Sequence, residues 1–403
     1  MSINIEAILS QIDPEAIARD VLEMVKVKSE TGVEGPGSLF LADLLEREGF
    51  DVRLDEFLPD RPNVLAKVAG NGGAGAAGAG NLVFNGHTDT IPIGDSMPPA
   101  REGDWVVGRG TEDMKGGLVA MVHAASALKK AKVRLAGDLW LTGVVGHEIP
   151  AGKKEGPKRL IEQLNSGEID ADAILIVEGP CAIWSTALGS TFFTITITSE
   201  LGPIHTIKTT YKQNPAYWLG VLLQQFQRLE EQFTAKPAHP LCGRQQINVG
   251  IVHAGDYPNR LPYHITVAGS RRWTLGTTIE QVRAQLQDVC DRIASQSGLR
   301  LELETQGARE PFETPDDHPI MSAVRAAGRS VTGSTPETIG MGLVGDANLY
   351  ANDGRVPTVY YGPAHQTAHS DNERVSISRL AHCAKVYALS AVNFCGVVDG
   401  PSA

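Results

Sequence analysis

GRGTEDMKGG, Gly108 to Gly117, is the stretch on which the reading of this chain turns. Alone it is a glycine-flanked turn with an acid, Asp113, a methionine and a lysine, Lys115, which is read as structural. NLVFNGHTDT, Asn81 to Thr90, lies just upstream and changes its meaning, because an apolar, β-branched run ends there in Gly86-His87-Thr88-Asp89. In an H-x-D triplet on extended chain the first and third side chains point to the same side. The Asp89 carboxylate can then orient the His87 ring while the other ring nitrogen takes a metal. Asp113 can supply oxygen to the same metal, and its carboxylate has two oxygens. It is therefore read as a bridge between two metal ions, with the rest of the chain delivering ligands to it.

Working outward, Asp13-Pro14-Glu15 opens a helical region that runs to about Glu48, with apolar spacing near 3.6. FDVRLDEF and NVLAKVAG alternate like strands. Gly73 to Gly78, GAGAAG, formally matches the dinucleotide fingerprint, but a strand follows it where a helix is required, so it reads as a flexible hairpin loop. After GRGTEDMKGG comes an amphipathic helix, LVAMVHAASALKKAKV, in which His123 is an ordinary packed or surface residue. The strand GDLWLTGVVGHE ends at His147-Glu148, which is not H-E-x-x-H, since Ala151 replaces the second histidine and Pro150 would disrupt a helix. A further strand, ADAILIVEGP, ends at Glu178. Three strand ends thus carry His87/Asp89, His147/Glu148 and Glu178, and carboxyl ends of strands are where open α/β sheets form their sites.

From TFFTITITS to LRLELETQG the order becomes β-α-β-β-α-β, a ferredoxin-like unit. Residues 191–309 are expected to form an inserted domain within a discontinuous catalytic domain made of 1–190 and 310–403. The 403-residue length fits two domains. Hydrophobic residues at 42% and charged residues at 21% describe a soluble globular protein, and the net charge of −11 argues against nucleic acid or an anionic membrane as partner. The five cysteines are scattered with no C-x-x-C pair, which fits reduced thiols in a cytoplasm. The acidic start, MSINIEAILSQIDPEAIARD, lacks the marks of a secretion signal, and no apolar run is long enough for a bilayer. A cytoplasmic location is expected.

Taken together, H-x-D, G-R-G-x-x-D-M-K-G-G, a strand-end acid, a strand-end Glu near Pro and a C-terminal A-H-S-x-x-E resemble the M20 family of metallopeptidases and amidohydrolases. The resemblance covers nearly the whole chain. It implies an α/β fold: a mixed-sheet, zinc-exopeptidase-like catalytic domain with an inserted ferredoxin-like lid or dimerisation domain. It also implies two divalent metal ions bridged by Asp113, with His87 and Glu178 completing one site and Glu148 and His369 the other. His365 is a near rival of His369, and Gly179 separates Glu178 from the proline that usually follows it directly. Zinc suits imidazole and carboxylate donors, with manganese or cobalt as alternatives. The family places a glutamate as general base just before the Glu148 position, where this chain has His147. Histidine can accept a proton, but its protonated form is a cation that two metal dications disfavour. In the inserted domain, His205 matches the lid histidine that stabilises an oxyanion across a dimer interface. Asn259 and Arg272 match substrate-carboxylate binders, with Arg271 a rival by one residue, and Gly342 and Gly345 match a pocket-lining loop. The expected activity is hydrolysis of the amide bond of a small N-acyl amino acid or dipeptide-like substrate by a homodimer or higher homo-oligomer. Its competitors are hydrolysis of another C–N bond, in a ureide or aromatic amine, and a catalytically silent binding homologue.

Overall fold

The structure is a computed structural model that describes residues 4–72, 79–148, 153–364 and 366–398. The Gly-rich stretch read as a hairpin loop, Pro150 and Ala151, and His365 lie outside the described residues. The chain divides into two compact units: residues 1–185, 314–339 and 349–403 in the first, 186–313 and 340–348 in the second. The second is thus wider than 191–309. It also takes in the short segment 340–348, which is cut off from the rest of the unit by residues 314–339 of the first and so carries no local signal of its membership.

The first unit begins with helices α1 (Ile5–Leu9), α2 (Pro14–Lys26) and α3 (Gly35–Arg47). Asp13 caps α2 by accepting the N–H of Glu15 at 2.9 Å, and Pro14 occupies the first turn, where its missing N–H costs nothing. Strands β1 (Val52–Asp55), β2 (Asn63–Val68) and β3 (Leu82–His87) follow, then the short β4 (Ala100–Glu102) and β5 (Trp105–Val107). Helix α4 (Gly116–Lys130), β6 (Leu139–Val144), α5 (Glu155–Ser166), β7 (Ala173–Ile176) and β8 (Ile183–Ala187) complete this part. β3 is buried along its whole length and pairs in parallel with both β6 and β7. Burial on both faces of such a strand is what its continuous apolar run dictates. α4 lies beside it, buried from Gly116 to Leu128. Gly117 permits a close approach: a Cβ there would fall 1.8 Å from the carbonyl oxygen of Val177.

The second unit holds β9 (Gly189–Thr198), α6 (Pro215–Thr234), β10 (Gln246–Ala254), β11 (His264–Trp273), α7 (Ile279–Ser297), β12 (Arg300–Arg309) and β13 (Phe312–Glu313). β9 to β12 form an antiparallel sheet in the order β10-β11-β9-β12. Alternate residues of β9, Phe193, Ile195 and Ile197, are buried with Trp218, Leu222 and Phe226 of α6 and Val282, Leu286 and Val289 of α7. The period-two burial of the strand and the apolar stripes of the helices close one core. Thr278 and Gln281 form a capping box at the start of α7.

The chain then continues through α8 (Pro319–Thr332), β14 (Thr338–Met341), α9 (Ala347–Asn352), β15 (Thr358–Tyr360), β16 (Arg374–Ser376) and α10 (Ile377–Cys395). The main sheet of the first unit runs β1-β2-β6-β3-β7-β15-β8, and its pairs are both parallel and antiparallel. A small antiparallel sheet, β16-β5-β4, ties the region after His369 to the strand just before Gly108. Among the described residues no helix is long and apolar enough to cross a membrane.

Candidate metal centre

Parallel pairing of β6, β3 and β7 brings their carboxyl ends to one edge of the sheet. His87 closes β3, Glu148 follows β6 by four residues, and Glu178 follows β7 by two. The Gly108–Gly117 stretch turns across this edge, with Asp113 in extended backbone (φ −128°, ψ 91°) at a kink just before α4. There His87 Nε2 lies 3.0 Å from Asp113 Oδ1, and His369 Nε2 lies 3.2 Å from Asp113 Oδ2. His369 Nε2 is also 3.0 Å from Glu148 Oε1. Donor atoms of His87, Asp113 and Glu178 lie within 4.8 Å of one another, and so do those of Asp113, Glu148 and His369. The two oxygens of Asp113 therefore face two different histidines, one in each group.

The donor set fits divalent metal. Asp113, Glu148 and Glu178 are each only 7% exposed, and Asp89 is fully buried. So much carboxylate away from water is costly unless cations compensate it. Without metal, protons do part of that work. Burial alone would lower the His87 imidazole, but the Asp113 hydrogen bond and the charges of Asp113, Asp89 and Glu148 raise it to about 10. Hydrogen bonds to Asp113 and Glu148 raise His369 to about 10 as well. Burial opposes the Asp113 charge, yet His369 and His87 hold that carboxyl well below its usual range. Imidazole and carboxylate donors gathered this closely suit a divalent metal ion, whose binding would displace those protons.

Asp89 meets His87 through both its backbone and its side chain. His87 Nδ1 lies 2.9 Å from the backbone carbonyl oxygen of Asp89, while the nearest carboxylate oxygen is 3.6 Å away. The carboxylate is taken by other donors: His147 N at 3.1 Å, Glu148 N at 2.9 Å and Thr31 Oγ1 at 2.8 Å. The carbonyl orients the ring, and the carboxylate holds the turn that carries Glu148. Upstream, Gly146 N donates to Glu34 Oε1 at 3.0 Å and Val145 N to Asn63 Oδ1 at 3.1 Å. Four successive amides are thus bound by side chains rather than by a strand. Glu34 is itself fully buried and paired with Arg61 through two contacts, at 2.5 and 2.9 Å.

Two further acids hold the other ligands. Glu373, 1% exposed, accepts the N–H groups of Glu112 and Asp113 at 3.0 and 3.1 Å and the Arg109 guanidinium at 2.8 Å. Glu112 accepts Gln366 N at 2.8 Å, Thr367 Oγ1 at 2.7 Å and Thr367 N at 2.5 Å. Glu112 and Glu373 stand inside the two motifs, but their partners lie about 250 residues away in the chain, so the sequence signals their presence without their work. Glu34 and Asn63 carry no signal at all. Lys115 donates to the Val27 carbonyl at 2.8 Å, just past the end of α2.

His147 is half-buried, and its ring stacks on that of His87 with centroids 4.0 Å apart and planes 5° from parallel. His87, His147 and Glu148 also offer donors within 4.8 Å of one another. A ligated ion lies near the plane of its imidazole, about 2 Å from the nitrogen. Two parallel rings at this spacing cannot both aim at one ion, so His147 does not share the ion of His87.

The remaining expected residues belong to the second unit. His205 is exposed; its Nε2 lies 3.3 Å from Asn259 Nδ2, and its Nδ1 accepts Ile207 N at 3.2 Å. Arg272 is half-buried and donates to the Gly342 carbonyl. Arg271 is buried, bonded to Gln245 at 2.7 Å and to Gln285, with its guanidinium 4.1 Å from the Phe233 ring centroid. Arg271 is thus held in the packing of its own unit. Gly345 N donates to Asn348 Oδ1 at 3.0 Å.

Residues 83–393 match the family model described as peptidase family M20/M25/M40. The chain belongs to this M20 family. M20 members are metal-dependent hydrolases, and this chain is one of these enzymes. It is similar to the N-formyl-4-amino-5-aminomethyl-2-methylpyrimidine deformylase of Bacillus subtilis (strain 168), with 24% identity over 88% of each chain. It is similar also to a succinyl-diaminopimelate desuccinylase of Magnetococcus marinus, with 26% identity over 93% of this chain and 97% of the relative. Among solved structures it matches a Bacillus subtilis protein described as a dinuclear metal-binding peptidase of the M20 family. That match has a TM-score of 0.73 and 15% identity over 96% of this chain and 99% of the other. The mixed α/β architecture is thus an M20 architecture.

Proposed function

We propose that this M20 enzyme hydrolyses the amide bond of a small N-acyl amino acid or dipeptide-like substrate at a two-metal centre. The observation that carries the reading is the position of the two Asp113 oxygens, 3.0 Å from His87 and 3.2 Å from His369. His87, Asp113 and Glu178 would hold one ion, and Asp113, Glu148 and His369 the other; zinc suits the donors best, with manganese or cobalt as alternatives. When bound, such a pair polarises a carbonyl and lowers the pKa of water at the site. The chain's own residues do the rest. The Asp89 carbonyl fixes the His87 tautomer, with Nδ1–H donating to it, so that Nε2 faces the metal site. Asp89 sets the His147-Glu148 turn. His147 is assigned the proton exchange that the family gives to glutamate. On the family resemblance, the second unit is the ferredoxin-like lid and dimerisation domain. His205 would be its oxyanion donor, and Asn259, Arg272 and Gly345 its substrate-facing positions. The names of the deformylase and desuccinylase relatives support an N-acyl substrate.

His147 beside His87 favours a second reading, hydrolysis of another C–N bond in a ureide or aromatic amine, because imidazole meets different proton demands from a carboxylate. One screen separates the two. Metal-loaded enzyme is offered N-acyl amino acids, dipeptides, ureides and aryl amines, and free amine and ammonia are measured. Amide cleavage that stops on chelation and returns with zinc supports the first reading. Ammonia release from the ureides or aryl amines alone supports the second, and turnover that chelation leaves intact overturns both.

A further inference from the structure

At the other end of β6 from the metal centre, the first unit has a cavity of about 420 Å³. Val68, which lines it, pairs with Leu139 at the start of β6, whereas Val144 at the far end leads on to His147 and Glu148. The length of the strand, roughly 17 Å, thus separates the two places. Phe50, Leu128 and Leu135, all buried, form an apolar wall. Around them stand four cations, Lys67, Lys129, Lys132 and Arg134, against one acid, Asp51. The whole chain has a net charge of −11, so this gathering of positive charge runs against its composition.

The cations are held in place, and little of their charge is neutralised. Lys67 pairs with Asp138 at 2.5 Å and lies over the Trp140 ring. Lys129 donates to the Gly49 carbonyl and lies over the Phe50 ring, and Arg134 donates to Asn71 Oδ1 at 3.3 Å. Among the described residues, Lys129, Lys132 and Arg134 are in no ion pair. The end of α4 is closed by backbone instead: the amides of Ala131, Lys132 and Val133 donate to the carbonyls of Ala127, Lys129 and Leu128. Lys132 also takes a left-handed conformation, φ 56°, just past the helix end, where glycine would be unstrained.

We propose that this cavity binds a small organic anion, a carboxylate or phosphate carried on an apolar ring or short chain. Sites for small molecules combine apolar walls with a few fixed polar groups, in cavities from about 300 Å³ upward. The ring or chain would lie against Phe50, Leu128 and Leu135. The charged end would meet Lys132 and Arg134, both exposed at the rim and both with donors to spare. An inorganic anion gains nothing from the wall, and a neutral ring gains nothing from the cations.

The test is calorimetric titration of the metal-loaded full chain with phenyl phosphate and with benzoate, and with phenol as the uncharged control. At least one of the two anions is expected to bind at a site that phenol does not fill. In the double variant Lys132→Ala/Arg134→Ala its affinity should fall at least about tenfold, as the loss of bonds to a charged group implies. Both side chains are exposed, so the core of the variant is untouched. Val133→Trp, at the half-buried rim, fills the cavity and keeps every charge, and it should abolish the binding. Which anion binds tighter tells phosphate from carboxylate. No binding of either anion, binding that both variants leave unchanged, or equal binding of phenol overturns the proposal. Binding that disappears on chelation of the metal belongs to the metal centre and overturns it too. No turnover is measured, so the result stands apart from the proposed function.

Discussion

The carboxylate of Glu373 accepts the backbone N–H of Asp113 at 3.1 Å, and the acid next to Asp113 returns the hold. Glu112 binds the amides of Gln366 and Thr367, two residues before His369. Each of the two loops that bring ligands to one candidate ion is fixed by an acid from the other. Bonds from amides to a charged acceptor are worth about 1.5–3 kcal/mol each.

Glu112→Gln keeps the size of the side chain and turns an NH2 group toward donors. The His369 loop should loosen, and affinity for the ion held by Glu148 and His369 should fall by at least about tenfold, since tenfold is 1.4 kcal/mol. The ion of His87 and Glu178 should stay. Metal analysis after graded dialysis checks this, and retention of both ions at wild-type affinity would contradict it.

His147→Ala should lower kcat by about 10²–10⁴, the usual contribution of a positioned acid or base, while metal content stays unchanged. The ring stacked on His87 at 4.0 Å is the reason to expect no loss of metal. A variant short of one ion would make His147 a ligand, and a variant with full turnover would move the base elsewhere.

Without metal, His87 and His369 are both raised to about 10, so both rings are protonated at pH 7. Metal binding must displace those protons. Calorimetry in buffers of different ionisation enthalpy should report release of about two protons per chain at pH 7. Apparent affinity should weaken as pH falls and strengthen as pH rises toward 10. An affinity flat from pH 6 to 9 would speak against these two residues as ligands.

Asp20, 2% exposed, joins three helices through His123 at 2.9 Å and Arg47 at 2.6 Å. Burial opposes its charge, but the His123 hydrogen bond and the Arg47 charge outweigh it and lower the folded-state pKa. A depressed carboxyl stabilises fully above its unfolded value, near 3.9, and loses that stability as pH falls through the lower folded value. Asp20→Asn should cost about 3 kcal/mol at pH 7 by leaving its partners unpaired. The gap to wild type should close below about pH 4. Urea melts at pH 7 and at pH 3 measure it, and an equal gap at both would refute the charge argument.

How much of this was legible follows from what local pattern can encode. The strand runs before His87, His147 and Glu178 are long and apolar, and their ends mark the site by themselves. The H-x-D triplet did place His87 and Asp89 together, but it could not say which oxygen of Asp89 meets the ring. That choice depends on the amides of His147 and Glu148, some sixty residues away. β4, β5 and β16 are three residues each, too short for a period to show, yet they anchor the His369 region. Glu34 is invisible for the same reason: its burial is made by Arg61 and Gly146, which only the fold brings near.

The most direct measurement is the metal content and anomalous scattering of the purified enzyme, alone and after Asp113→Ala. Two divalent ions per chain are expected, one between His87 and Glu178 and one between Glu148 and His369, with an Asp113 oxygen toward each. Both ions and the turnover should be lost together in the variant. Ions bound elsewhere, or undiminished turnover by the variant in strong chelator, would contradict the account.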